Sequence, residues 1–121
     1  MTVFRRGEVV LVAFPFTDLA TTKMRPALVV SSDAFNNQHL DVVLAAITSQ
    51  VPKKIAAAEH LLSVEDQKQA GLPKLSIVKL SKLVTIDQRL IRKRLGRVLD
   101  PTLSLLTLKL HKEGWGLTRG G

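Results

Sequence analysis

The chain has 121 residues, 45% of them hydrophobic, no cysteine and a formal net charge of +8. That length supports one domain with a core and not two, here taken as residues 1–121, and that hydrophobic fraction excludes a disordered chain. Without cysteine there is no disulfide framework, thiol nucleophile or thiolate metal site, which is compatible with a reducing cytoplasm. A surface this basic has a polyanion as its default partner, weighed against charge that serves only solubility.

The longest apolar run, residues 9–16, contains Pro15 and falls far short of the ~20 residues a membrane helix needs. Arg5 and Arg6 give the start a faint look of a signal peptide. Glu8 before the run and Thr17-Asp18 after it, with no small-residue cleavage site, argue against one. Residues 9–14 are therefore expected to form a strand, apolar on both faces, between Gly7 and Pro15. Residues 16–23 form a polar loop. An aromatic here, Phe14 or Phe16, either covers the end of the sheet or stacks on a base of a single strand.

The next stretch organises the rest. Arg25-Pro26-Ala27-Leu28-Val29-Val30 reads as a strand entered through proline. Residues 40–49, ending in Thr48-Ser49, read as a second buried strand. The segment Phe35-Asn36-Asn37-Gln38 between them fits a reversal of direction. A hairpin centred between Asn36 and Asn37 pairs residues whose numbers add to 73, which sets Arg25 against Thr48. Directly opposed residues have Cβ atoms roughly 5 Å apart. A fixed cation beside a hydroxyl donor suits a phosphate oxygen. The plainer roles are a surface ion pair for Arg25 and a strand-end hydroxyl for Thr48, and spacing alone does not separate the two readings.

Beyond a loop at residues 50–54, residues 55–62 form a weak strand. Residues 63–71 form a short helix capped by Ser63 and closed by Gly71. Residues 75–80 and 83–85 are two strands, 87–90 a helical turn and 91–99 a last strand. Residues 100–114 form a helix with Asp100 as its N-cap, Pro101 at its first position and Gly114 as its stop. Leu103, Leu106 and Leu110 share its inner face, and Trp115 folds back onto the body. Lys and Arg cluster over residues 74–97 with Asp87 as the acidic exception. Such a face tracks a phosphate backbone or is merely solvated. His39, His60 and His111 lack metal-ligand spacing, and no phosphate loop, nucleophile elbow or paired-carboxylate motif is present. No metal or cofactor is expected.

Gly7-Glu8-Val9-Val10, Lys23-x-Arg25-Pro26-Ala27-Leu28-Val29-Val30-Ser31 and Ile47-Thr48-Ser49 resemble the PemK/MazF toxins of bacterial toxin–antitoxin pairs. The likeness continues in order through Ala70-Gly71-Leu72, Leu75-Ser76, Leu83-Val84-Thr85-Ile86-Asp87 and Leu95-Gly96-Arg97. It implies a mainly β, SH3-like barrel with short helices and a C-terminal helix. It also implies a cytoplasmic, homodimeric endoribonuclease that needs no metal, is not membrane-bound and is inhibited by a cognate antitoxin. By the same resemblance Arg25 and Thr48 are catalytic, cutting single-stranded RNA through 2′-OH attack to leave a cyclic phosphate and a 5′-OH. RNA would lie in a groove along the dimer interface beside residues 16–23, with Phe16, Thr17, Lys23, Ser49 and Gln50 as binding residues. Glu8, Asp18 and His39 are the candidates for the base. Two rivals remain: a toxin of the CcdB type that poisons DNA gyrase, and an RNA-binding barrel without catalysis.

Overall fold

The computed structural model describes residues 3–13 and 23–114. Six strands form one antiparallel sheet: β1 (Glu8–Ala13), β2 (Met24–Val29), β3 (Asp41–Thr48), β4 (Glu59–Leu61), β5 (Ile77–Asp87) and β6 (Lys93–Arg97). Their spatial order is β4-β5-β3-β2-β1-β6. Three helices are added: α1 (Asp33–Gln38), α2 (Val64–Gln69) and α3 (Asp100–Lys109). A 3₁₀ turn, Gln88–Leu90, and a π turn, Leu110–Gly114, complete the described chain. The expected mainly β fold with a C-terminal helix is present. The barrel is open: among the described residues β4 and β6 are edges.

Strand alternation gives the sheet two apolar faces. Val9, Leu28, Ala45 and Ile47 point to one, where Ala70, Leu72 and Leu106 from the helical segments cover them. Val10, Val12, Ala27 and Ala46 point to the other, packed with Phe4 and Ile91. Val9, Val10 and Val12 of the apolar run are thus fully buried, on both faces, with Leu11 half-buried. Leu106 is buried in the first cluster, and Leu103 and Leu110 pack against it, the face expected from their spacing.

Several residues of the resemblance build the fold. Gly7 has φ +95°, and a Cβ there would crowd Leu103 at 2.9 Å. Gly71 has φ +71°, and a Cβ would strike the Leu95 carbonyl; a Cβ on Gly96 would strike the Gln69 carbonyl. These two glycines let the end of α2 lie against β6, backbone on backbone. The Ser31 hydroxyl accepts the Val43 N–H at 3.0 Å and donates to Asn36 Oδ1 at 2.5 Å. Ser63 caps α2 by accepting the Asp66 N–H at 3.1 Å.

Four expectations need correction. The reversal at residues 35–38 is a helix, α1, because Ser32 caps it: its hydroxyl accepts the Phe35 N–H at 3.1 Å. Residues 55–62 contribute only the three-residue β4. The two strands at 75–85 are one, β5, interrupted by a bulge where Leu80, Ser81 and Lys82 lack partners on β3. The N-cap of α3 is Leu99, with Asp100 as the first helical residue. The capping oxygens come from another helix: Asp66 accepts the Leu99 N–H at 2.9 Å and the Thr102 hydroxyl at 2.5 Å. Trp115 lies outside the described residues.

Candidate active site

The β2–β3 register is Ala27↔Ala46, Leu28↔Ala45 and Val29↔Leu44, each pair adding to 73. The Val30 N–H continues it, donating to the Val43 carbonyl at 2.9 Å. Carried two residues toward the other end, the same register sets Arg25 beside Thr48. Arg25 pairs with Val12 on β1, and Thr48 pairs with Ile77 on β5. Opposed residues in an antiparallel ladder share a face. Both side chains therefore lie on the face that holds Val10 and Val12, at the rim where β2 begins and β3 ends.

Arg25 and Thr48 are both half-buried. The Thr48 oxygen accepts the Gln50 N–H at 3.1 Å, which fixes the side chain and leaves its hydroxyl hydrogen out of that bond. Lys23 is exposed just before β2, and Ser49 and Gln50 are exposed just after β3. These three expected binding residues thus gather on the Arg25–Thr48 rim. Phe16 and Thr17 lie outside the described residues, as does Asp18.

The sequence reading missed a charged pair on this face. Lys79 pairs with Ala46 and with Glu59 of β4. It lies diagonally across from Thr48, a separation of about 7–8 Å that long side chains span. Its ammonium is 3.6 Å from the Glu59 carboxylate, whose side chain is only 12% exposed. Glu59 also accepts the Ala56 N–H at 2.9 Å. Recognising this pair required the β5 bulge, which decides what Lys79 faces.

The candidate bases fare poorly. His39 is stacked on Phe35, with Nδ1 2.9 Å from the Phe35 carbonyl. It precedes β3, the whole length of that strand (about 23 Å at ~3.3 Å per residue) from Thr48. Glu8 starts β1, away from the Arg25 end, and its carboxylate holds the Arg5 N–H at 2.7 Å and the Arg94 guanidinium. By register Glu59 is the described carboxylate closest to Thr48, and it is committed to Lys79.

The late basic cluster is partly neutralised. Arg89 binds Asp87 at 2.7 Å, and those hydrogen bonds pull the Asp87 pKa down from 3.8 to about 2. Arg97 meets Asp100 at 3.2 Å, and Lys79 and Arg94 are paired as above. His60 of β4 has its pKa lowered, chiefly by desolvation and then by Lys109, against an opposing pull from Asp66. Its Nδ1 is 3.3 Å from Lys109 Nζ. Since the ammonium can only donate, Nδ1 accepts and the ring proton sits on Nε2. Among the described residues no group of three or more acidic or histidine side chains is arranged to hold a metal, and no helix is long and apolar enough to cross a membrane.

An open, six-stranded antiparallel sheet carrying a cation and a hydroxyl on one rim defines a small β domain with a candidate site for an anionic ligand. Residues 5–112 match the family model described as PemK-like, MazF-like toxin of type II toxin-antitoxin system. The chain belongs to that family. No curated protein matches the sequence. The fold is that of solved toxins at low identity. An endoribonuclease in complex with its cognate antitoxin from Mycobacterial species superposes with TM-score 0.72 at 23% identity, over 93% of this chain and 95% of that one. MazF from Deinococcus radiodurans gives 0.70 at 23%, over 92% and 96%. The Mycobacterium tuberculosis toxin MazF-mt6 gives 0.67 at 20%, over 88% and 93%.

Proposed function

We propose that the chain is an endoribonuclease that cuts single-stranded RNA without a metal ion and is restrained by a cognate antitoxin. The observation that carries this reading is the β2–β3 register, whose continuation by two residues sets Arg25 beside Thr48 at one rim. Family membership supplies the reaction class.

In the reaction a ribose 2′-oxygen bonds to the adjacent phosphorus as the bond from phosphorus to the 5′-oxygen breaks. The 2′-OH gives up its proton and the departing 5′-oxygen takes one, leaving a cyclic phosphate and a 5′-OH. Negative charge builds on the phosphoryl oxygens. Arg25 and the Thr48 hydroxyl are preorganised donors to that charge, so they favour the transition state over the substrate. A guanidinium offers N–H donors and no acceptor, so Arg25 acts as a donor and not as a base. Lys79, positioned by its ion pair with Glu59, is a further hydrogen-bond donor on the same face. Lys23, Ser49 and Gln50, with Phe16 and Thr17 of the preceding loop, bind the flanking RNA.

The protein acts as a cytoplasmic homodimer. Its antitoxin presents a flexible segment of acidic and apolar residues that lies where RNA would lie and folds on binding at an entropic cost. The test is incubation of the purified protein with mixed-sequence single-stranded RNA in EDTA. New 5′-OH ends and cyclic phosphates are expected, and their suppression by the product of the adjacent small reading frame. RNA left intact, or cleavage that needs added Mg²⁺, defeats the reading.

A further inference from the structure

A groove of about 450 Å³ opens at the β1–β6 edge, lined by Phe4, Gln88, Ile91 and the cations Arg89, Arg92, Lys93 and Arg94. Its Phe4 and Arg94 side shares the sheet face of Arg25 and Thr48, while Lys93, opposite Leu11, reaches it from the other face around the β6 edge. Arg94 is paired with Val10, and its guanidinium stands 5.0 Å from the centre of the Phe4 ring, on the face that also holds Val12. Val12 in turn pairs with Arg25. Lys93 is paired with Leu11, and the Arg92 N–H donates to the Leu11 carbonyl at 2.8 Å. Arg92 is therefore anchored one strand beyond the β1 residues that face Arg25, a span of two strand spacings or about 10 Å.

The charges in the groove are unequal. Asp87 occupies Arg89 and Glu8 occupies Arg94. Arg92 and Lys93 are exposed, and among the described residues neither makes an ion pair. The apolar floor, Phe4 and Ile91, is buried, and Arg94 covers the Phe4 ring, so no aromatic face is open for stacking. The groove thus offers charge for a backbone and no open aromatic face for a base.

From this we infer that the Arg92–Lys93 groove seats a backbone phosphate of the RNA strand outside the scissile step. The strand crosses the sheet from β6 over β1 to the Arg25–Thr48 rim. This rests on the proposed RNA function. A strand advances about 3.4 Å per nucleotide when stacked and more when stretched, so the seat lies about two or three nucleotides from the cut. Its contribution is to affinity for longer RNA, largely independent of sequence.

The test uses the full chain and a double substitution, Arg92→Ala with Lys93→Ala. Lys68→Ala with Lys112→Ala serves as a control that removes the same charge from the helical side. Binding of a labelled, uncleavable 2′-O-methyl RNA of twenty nucleotides is titrated against salt, and thermal unfolding checks that both variants fold. The groove variant is expected to bind about tenfold more weakly than the control, with a salt slope shallower by about 0.7 for each phosphate it no longer neutralises. In cleavage, its loss on the long RNA is expected to exceed its loss on a dinucleotide. Equal binding by the groove and control variants overturns the seat, even where wild-type protein cuts RNA. Wild-type protein that binds RNA through the groove yet never cuts it defeats the nuclease reading and leaves the seat standing. Polyglutamate that binds wild type and not the groove variant, while RNA binds both alike, shows that the groove takes an acidic polypeptide and overturns the proposal.

Discussion

Ala27 on β2 stands opposite Ala46 on β3, two fully buried small side chains one alternation inside the rim. This pairing aligns Arg25 with Thr48 two residues on. Ala46 also pairs with Lys79 across β5, so a single row of residues connects the rim to the Lys79–Glu59 ion pair.

Lys79 is therefore expected to matter for catalysis. Lys79→Gln should lower kcat/KM on single-stranded RNA by about tenfold and flatten its salt dependence, whereas Lys79→Arg should retain most activity. Because Glu59 loses its partner in Lys79→Gln, the measurement is repeated with Glu59→Gln added to restore neutrality. Wild-type kinetics in both forms would show that the ion pair is only structural.

Gly96→Ala should destabilise the fold by about 1–3 kcal/mol through overpacking. The added methyl meets the Gln69 carbonyl and the Ala70 backbone, which cannot yield as a flexible side-chain end would. Urea unfolding reads the effect. An unchanged midpoint would mean that α2 can move off β6 without cost.

His60 should make stability depend on pH. Its folded-state pKa is below the ordinary 6.5 because burial and Lys109 disfavour the charged ring. The unfolded chain therefore binds a proton first as pH falls. This contribution to stability is intact above about pH 6.5 and is lost as pH falls through the lowered folded value. Thermal midpoints of wild type and His60→Gln between pH 7.5 and 5, about a pH unit or more either side of the ordinary value, measure it. The wild type should lose more stability than the variant on acidification, and parallel curves would show that His60 does not contribute.

The register was legible because the connection between β2 and β3 is symmetric about Asn36 and Asn37. Replacing the expected turn with the Ser32-capped α1 left the pairing sum intact. Leu103, Leu106 and Leu110 were legible as one helical face once the end signals, Pro101 among them, decided for helix over an alternating strand. What stayed hidden depends on partners distant in sequence. The cap on α3 comes from Asp66 in α2, so a local rule misassigned it to Asp100. Lys79 interrupts an otherwise regular alternation, and the bulge at Leu80, Ser81 and Lys82 decides which face it joins. Likewise, that Arg92 and Lys93 make no ion pair among the described residues emerges only once Asp87 and Glu8 are seen to occupy Arg89 and Arg94.

The central claim is that Arg25 and Thr48 act together on one phosphate. Its most direct test is a double-mutant cycle: single-turnover cleavage of single-stranded RNA in EDTA by wild type, Arg25→Ala, Thr48→Val and the double variant. Thr48→Val is nearly isosteric and removes the hydroxyl. Each single change should slow cleavage by about 100-fold or more, and the double change should cost little beyond the worse single one, because both donors serve the same developing charge. Cleavage by Arg25→Ala at the wild-type rate, or losses that simply multiply in the double variant, would contradict it.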